Sequence, residues 1–171
     1  MKATMVGAEA VPFAKVGGLA DVLGALIPEL RKKGVDIRLF MPCYKSIKEK
    51  GFKLNKVLEL PEIKLHDKSY PATIYHTTEP YPAYFVDGEL FDREGVYTDP
   101  KTGEGYPDEP YRYIFFIKAL LESLPKLDFK PDIYHLNDSH AALVSVFLKS
   151  HLADNPFYKD AGTLFTIHNI A

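Results

Sequence analysis

Three short polar segments each follow an apolar run, and their residue types suit sugar-phosphate chemistry. Lys15-Val16-Gly17-Gly18 comes after residues 3–8, Asn137-Asp138-Ser139-His140 after residues 133–136, and His168-Asn169 after residues 162–167. Paired glycines let backbone N–H groups approach a phosphate closely. The start of a following helix adds a partial positive charge, and Lys15 adds a full one. The spacing is neither Gly-x-Gly-x-x-Gly nor a P-loop, which argues against a dinucleotide or NTPase site. A carboxylate such as Asp138 at a strand end can accept hydrogen bonds from sugar hydroxyls, and His168 with Asn169 suits a crevice wall. Plainer roles fit the same residues: a solvated lysine on a turn, a helix N-cap at Asp138, a first-turn surface histidine at His140, and a loop at His168. His135, inside a strand, suits a hydrogen-bonded core residue. No His-x-x-x-His pair or acidic cluster signals a metal, and Ser139 lacks a nucleophile-elbow setting.

The elements that must hold these segments read as α/β. Residues 3–8 suit a buried parallel strand. Leu19, Val22, Leu23, Leu26, Ile27 and Leu30 fall on one helical face, with Gly34 at the C-terminal stop and Pro28 expected to kink it. Residues 36–41 form a second strand. Pieces at 53–60, 73–78 and 83–86, divided by prolines 61, 71, 80 and 82, predict a small antiparallel insertion. Residues 88–110 read as a long functional or mobile loop. Asp108 then caps a helix with Ile114, Ile117, Leu121 and Leu124 inward. After the strand at 133–136, Asp138 caps another helix whose buried side is Leu143, Val144, Phe147 and Leu148. The strand at 162–167 ends the pattern, and because a doubly wound domain would lay a further helix there, the chain reads as cut short. Parallel strands joined by helices imply ligand binding beyond the strands' carboxyl ends.

Composition sets the outer limits. The chain has 171 residues, 46% hydrophobic and 26% charged, with a net charge of −2. That is a globular balance with no basic excess for nucleic acid or an anionic membrane surface. No stretch nears the roughly 20 apolar residues that span a bilayer. The N-terminus carries no secretory pattern, and the single cysteine, Cys43, excludes an internal disulfide, so a cytoplasmic protein is expected.

The three segments together resemble the bacterial glycogen and plant starch synthases. EAVPFAKVGGLADV at residues 9–22 is similar to that family's N-terminal signature, and LFTIHNIA at 164–171 to its Phe-Thr-Ile-His-Asn segment. HLNDSH at 135–140 resembles a segment that usually ends Asp-Trp-His, so Ser139 stands where the family has tryptophan and removes an aromatic platform. Tyr97, Tyr106, Asp108 and Arg112 lie where the family has a Tyr-rich segment and an Arg-Phe pair. The resemblance implies a GT-B enzyme with its site between two Rossmann-like domains, this chain being most of the N-terminal one and the C-terminal donor-binding domain missing. It implies retaining transfer of glucose from ADP-glucose or UDP-glucose to the non-reducing end of an α-1,4-glucan, without a cofactor or metal. Lys15, Gly17, Gly18 and Asp21 would then serve the donor phosphates. Asp138 and His168 would face the transferred glucose, and Tyr97, Asn137, His140 and Asn169 the sugar side. A non-catalytic nucleotide- or glucan-binding module, a flavodoxin- or receiver-like domain and another GT-B enzyme such as a sucrose synthase relative are the alternatives.

Overall fold

A strand buried on both faces needs side chains that are apolar or locally hydrogen-bonded, and the first strand meets that demand beyond Lys2. In β1 (Lys2–Val6), Ala3, Thr4, Met5 and Val6 are all buried. The structure is a computed structural model that describes residues 1–169. After β1 come α1 (Gly18–Lys32), β2 (Asp36–Pro42) and a short α2 (Lys45–Glu49). Then follow β3 (Asn55–Leu65), β4 (Lys68–Thr77), β5 (Ala83–Asp87), α3 (Glu109–Lys126), β6 (Ile133–Asn137), α4 (Ser139–Lys149) and β7 (Gly162–Thr166). The seven strands form one sheet in the order β3-β4-β5-β2-β1-β6-β7.

The expected mostly parallel α/β sheet is what the chain forms. β5, β2, β1, β6 and β7 are parallel, with Met5 opposite both Leu39 and His135. From β1 the chain moves to β2 on one side, and later to β6 on the other. Right-handed crossovers place α1 on one face and α3 with α4 on the opposite face, and α3 and α4 pack on each other. The order reverses at β1, which makes the space beyond β1 and β6 the topological switch point.

Several expectations are corrected in detail. β1 ends at Val6 and β7 at Thr166, and α2 was unforeseen. The predicted insertion is not a separate piece: the antiparallel β3–β4 hairpin joins the main sheet through β5. Pro61 and Pro71 do not divide strands. They sit within β3 and β4, at the register shift between Leu60 and Ile63, where the ladder does not call on their missing N–H groups. Residues 88–110 are the long connection expected, largely exposed over 100–105, but its first part is anchored: Arg112, fully buried, donates to the carbonyls of Leu90 (3.1 Å) and Val96 (3.3 Å). Asp108 does not cap α3; both its oxygens accept from Arg93 at 2.8 Å. On α4, Val144 and Leu148 turn inward as expected, with Phe147 half-buried against the core, but Leu143 is exposed and Ala141 is buried.

α1 comes so close to the segment after β1 that only glycine fits at residue 24. A Cβ there would lie 2.2 Å from Val11 Cγ2 and 2.9 Å from the Val11 carbonyl oxygen. That carbonyl is also pinned by the Tyr81 hydroxyl. Gly24→Ala should therefore destabilise by about 1–3 kcal/mol, the overlap outweighing the better helix propensity of alanine. Urea unfolding checks this, and an alanine variant as stable as the parent would show that the loop yields freely.

Candidate active site

Each polar segment stands at the carboxyl end of a parallel strand, and one cleft of about 730 Å³ collects them. From β1 it is lined by Glu9, Gly17 and Gly18, from β6 by Asp138, Ser139 and His140, and from β7 by His168 and Asn169. The β5–α3 connection adds Tyr97, and the start of α3 adds Glu109. Asn137 is buried just behind this wall. Lys15 and Asp21 are not part of the lining. They pair with each other at 2.7 Å, both more than half exposed. An exposed pair of this kind contributes little to stability.

The Gly17-Gly18 turn is fixed from below. The N–H groups of Val16 and Gly17 both donate to Oε2 of Glu9, Gly17 at 2.9 Å. Gly17 N–H is therefore engaged, contrary to the expectation that it meets a phosphate. The donors at the cleft are those of Gly18 and Leu19, the first turn of α1, which has no side-chain cap. Neither glycine is required by the fold. A Cβ on Gly18 meets nothing within 4 Å, and one on Gly17 reaches only Glu9 Oε1 at 3.5 Å. Gly17 has an extended φ of −128° that any residue adopts. Space above the α1 terminus is kept open by the absence of side chains there.

Asp138 and His168 form a linked pair. Asp138 has φ +59°, a left-handed conformation uncommon outside glycine and one that concentrates at functional sites. Its carboxylate does not cap α4; Oδ1 accepts the backbone N–H of His168 at 2.7 Å. Asn137 donates its Nδ2 to the Val6 carbonyl at 3.1 Å, which orients its Oδ1 toward His168 Nε2 at 2.9 Å. His168 must then donate from Nε2. His135, a core histidine as expected, bonds the Thr166 hydroxyl at 2.8 Å. Burial, and then the neighbouring His168, hold its pKa below the usual imidazole range.

On the far wall Tyr97 and Tyr113 flank His140, with ring centroids 4.9 and 4.4 Å away, and His140 Nε2 meets Glu109 at 3.2 Å. Burial, followed by the Glu9 carboxylate, pushes the Tyr97 phenol well up, so it stays a donor. Cys43 is buried and pushed to about 12, chiefly by burial, and is no thiolate nucleophile. Among the described residues no cluster of His, Cys, Asp or Glu is suited to a metal ion, and no helix is long and apolar enough to cross a membrane. Sequence reasoning missed Glu9 and Glu109. Glu9 had a signal, as the one charge in the apolar run from residue 3 to 14; Glu109 had none.

A mostly parallel α/β sheet with a polar cleft at its switch point defines a Rossmann-like ligand-binding domain. Comparison with known proteins narrows this. The family model described as the starch synthase catalytic domain matches residues 2–171, and the chain belongs to that family. It is 40% identical over 172 residues to a glycogen synthase of Syntrophotalea carbinolica, covering 99% of this chain and 35% of that protein. It is 38% identical over 173 residues to glycogen synthase 2 of Geobacter metallireducens, covering all of this chain and 35% of that one. Among solved structures, the catalytic domain of starch synthase IV from Arabidopsis thaliana, bound to ADP and acarbose, superposes with a TM-score of 0.83. The two are 28% identical over 98% of this chain and 34% of that one. The chain thus spans about a third of the length of these relatives. The last two residues of the family-like segment 164–171 lie outside the described residues.

Two expectations follow, one from the site and one from two histidines in the sheet behind it. Gly18→Ala should keep stability within about 0.5 kcal/mol, because its Cβ enters open space, while any ligand resting on the α1 terminus is displaced. Thermal melting and ADP binding measured together check this, and unchanged binding would remove the reason for glycine there. His76, like His135, has a lowered pKa, through burial and then Arg38. The unfolded chain therefore takes up protons first as pH falls, so stability is full above about 6.5 and declines as the pH drops below it. Urea midpoints should be lower at about pH 5.5 than at about 7.5, and His76→Gln should flatten the change.

Proposed function

We propose that the chain is the N-terminal, acceptor-side part of a retaining glucosyltransferase of the glycogen and starch synthase type, acting in the cytoplasm. The donor is ADP-glucose or UDP-glucose and the acceptor the non-reducing end of an α-1,4-glucan. One observation carries this reading: in a chain matched to that family over residues 2–171, the open α1 terminus and the Asp138–His168 pair meet in a single cleft. The ADP bound in the Arabidopsis structure is of the proposed donor class.

Transfer breaks the bond between the anomeric carbon and the diphosphate and forms a bond to an acceptor hydroxyl, whose proton is lost. Positive charge grows on the sugar and negative charge on the leaving diphosphate. The N–H groups of Gly18 and Leu19, with the dipole of α1 behind them, answer the negative charge. Asp138 and His168, fixed to each other and to Asn137, hold the sugar; Tyr97 and His140 form its aromatic wall. Ser139 leaves that wall without an indole. Lys15 and Asp21 act from the rim, where Lys15 can exchange its carboxylate partner for a phosphate. Donor groups from a C-terminal domain complete the cleft.

The chain alone should bind ADP or a maltooligosaccharide weakly and transfer no glucose at a meaningful rate, since removing even one electrostatic donor costs about 10²–10³ in rate. An assay with ADP-glucose and glycogen, run on the 171-residue chain and on the full-length enzyme, tests this. In the full-length enzyme His168→Ala should lower kcat by about 10² or more, with an unchanged melting temperature. Equal rates in the short and long proteins would contradict the half-cleft assignment. Glucan binding without transfer in the full-length protein would favour the non-catalytic module.

A further inference from the structure

Glu9 is the cleft residue whose contacts all run to other parts of the site. It follows β1 directly, and its side chain is buried at 3% exposure. One carboxylate oxygen accepts the N–H groups of Val16 and Gly17; the other accepts the Tyr97 hydroxyl at 3.2 Å. Among the described residues no lysine or arginine pairs with it, and Lys15, on the same turn, is engaged by Asp21. A buried carboxylate without a counter-ion is unfavourable unless neutral donors satisfy it, and an apolar side chain would fill the space at less cost. Packing therefore does not account for Glu9.

Its geometry does. By engaging the two amides before α1, the carboxylate fixes the turn, and the next N–H groups, those of Gly18 and Leu19, are left at the cleft. By holding the Tyr97 hydroxyl, it fixes a ring that packs, tilted, against His140 with centroids 4.9 Å apart. One side chain thereby joins the β1 turn, the β5–α3 connection and the start of α4.

We propose that Glu9 is a positioning residue of the donor site, setting the Val16–Gly17 turn and the Tyr97 ring in one fixed relation. This rests on the reading of the cleft as a sugar-nucleotide site. Glutamine can replace its geometry, since the amide oxygen can accept the two backbone N–H groups while the NH2 donates to the Tyr97 oxygen.

The test uses the 171-residue chain, ADP as the probe and two readouts, calorimetric affinity and hydrogen exchange at the Val16 and Gly17 amides. Glu9→Ala should lose protection at both amides and weaken ADP binding by about tenfold or more, while Glu9→Gln restores both to within about threefold. Tyr97→Phe should leave the two amides protected. The double variant Glu9→Ala/Tyr97→Phe should bind ADP no more weakly than Glu9→Ala alone, because the two act as a unit. Wild-type amide protection in Glu9→Ala, failure of glutamine to rescue, or additive losses would each overturn the proposal. If Glu9→Ala does not fold, Glu9→Asp replaces it, being one methylene too short to span both contacts, and wild-type affinity there overturns the proposal equally. A wild-type chain without affinity for ADP sinks the donor-site reading instead. Protection lost in Glu9→Ala and regained in Glu9→Gln would still uphold the clamp.

Discussion

The parallel pairing of β1 with β2 on one side and β6 on the other is the constraint on which the remaining structure depends. Met5 faces Leu39 in one ladder and His135 in the other, so the carboxyl ends of the three strands are level. Of these, β1 and β6 hand their next residues to one space, Glu9 and Val16 to Gly18 after β1 and Asp138 after β6, and β7, paired to β6, adds His168. Residues more than 150 positions apart meet because the sheet order reverses at β1, not because any local motif encloses them. A register slip of one residue in β1 would turn Met5 and Thr4 to opposite faces and separate the segments.

The cleft's charge is the reverse of what a diphosphate alone would select. Glu9, Glu109 and Asp138 line it, and no lysine or arginine does among the described residues. At an effective dielectric of about 20, a carboxylate roughly 8 Å from a phosphate charge opposes it by about 2 kcal/mol. Backbone N–H groups at the α1 terminus offset part of that. On the proposed function a cationic partner wall is the natural complement, and the relatives are about three times as long as this chain. On the same reading the carboxylates suit the sugar side, where hydroxyl donors are plentiful and positive charge would develop.

Much of the fold was legible because parallel β/α units write themselves in hydrophobic periodicity. β1, α1, β2, β6 and β7 fall within two residues of where their patterns placed them. Capping was misread at Asp108 and Asp138 for one physical reason: an aspartate before a helix has other possible partners, here Arg93 and the His168 amide. Strand length was misread at Pro61 and Pro71 because a shared register shift excuses both rings at once, a fact about pairing that neither segment carries alone. The glycine pair does line the cleft, yet Glu9 engages Gly17 N–H, a contact that only a structure reveals. Glu109 reaches the cleft through packing of α3 on α4, which no local pattern encodes.

The central claim is that strand-end segments from β1, β6 and β7 make one ligand site, and mapping of ADP on the ¹⁵N-labelled chain tests it most directly. Amide shift changes on titration should concentrate at Gly18 and Leu19, at Asp138 to His140, and at His168 and Asn169, and saturate with a single affinity. Changes confined to one segment, or scattered over the β3–β4 hairpin and the outer face of α3, would contradict the account.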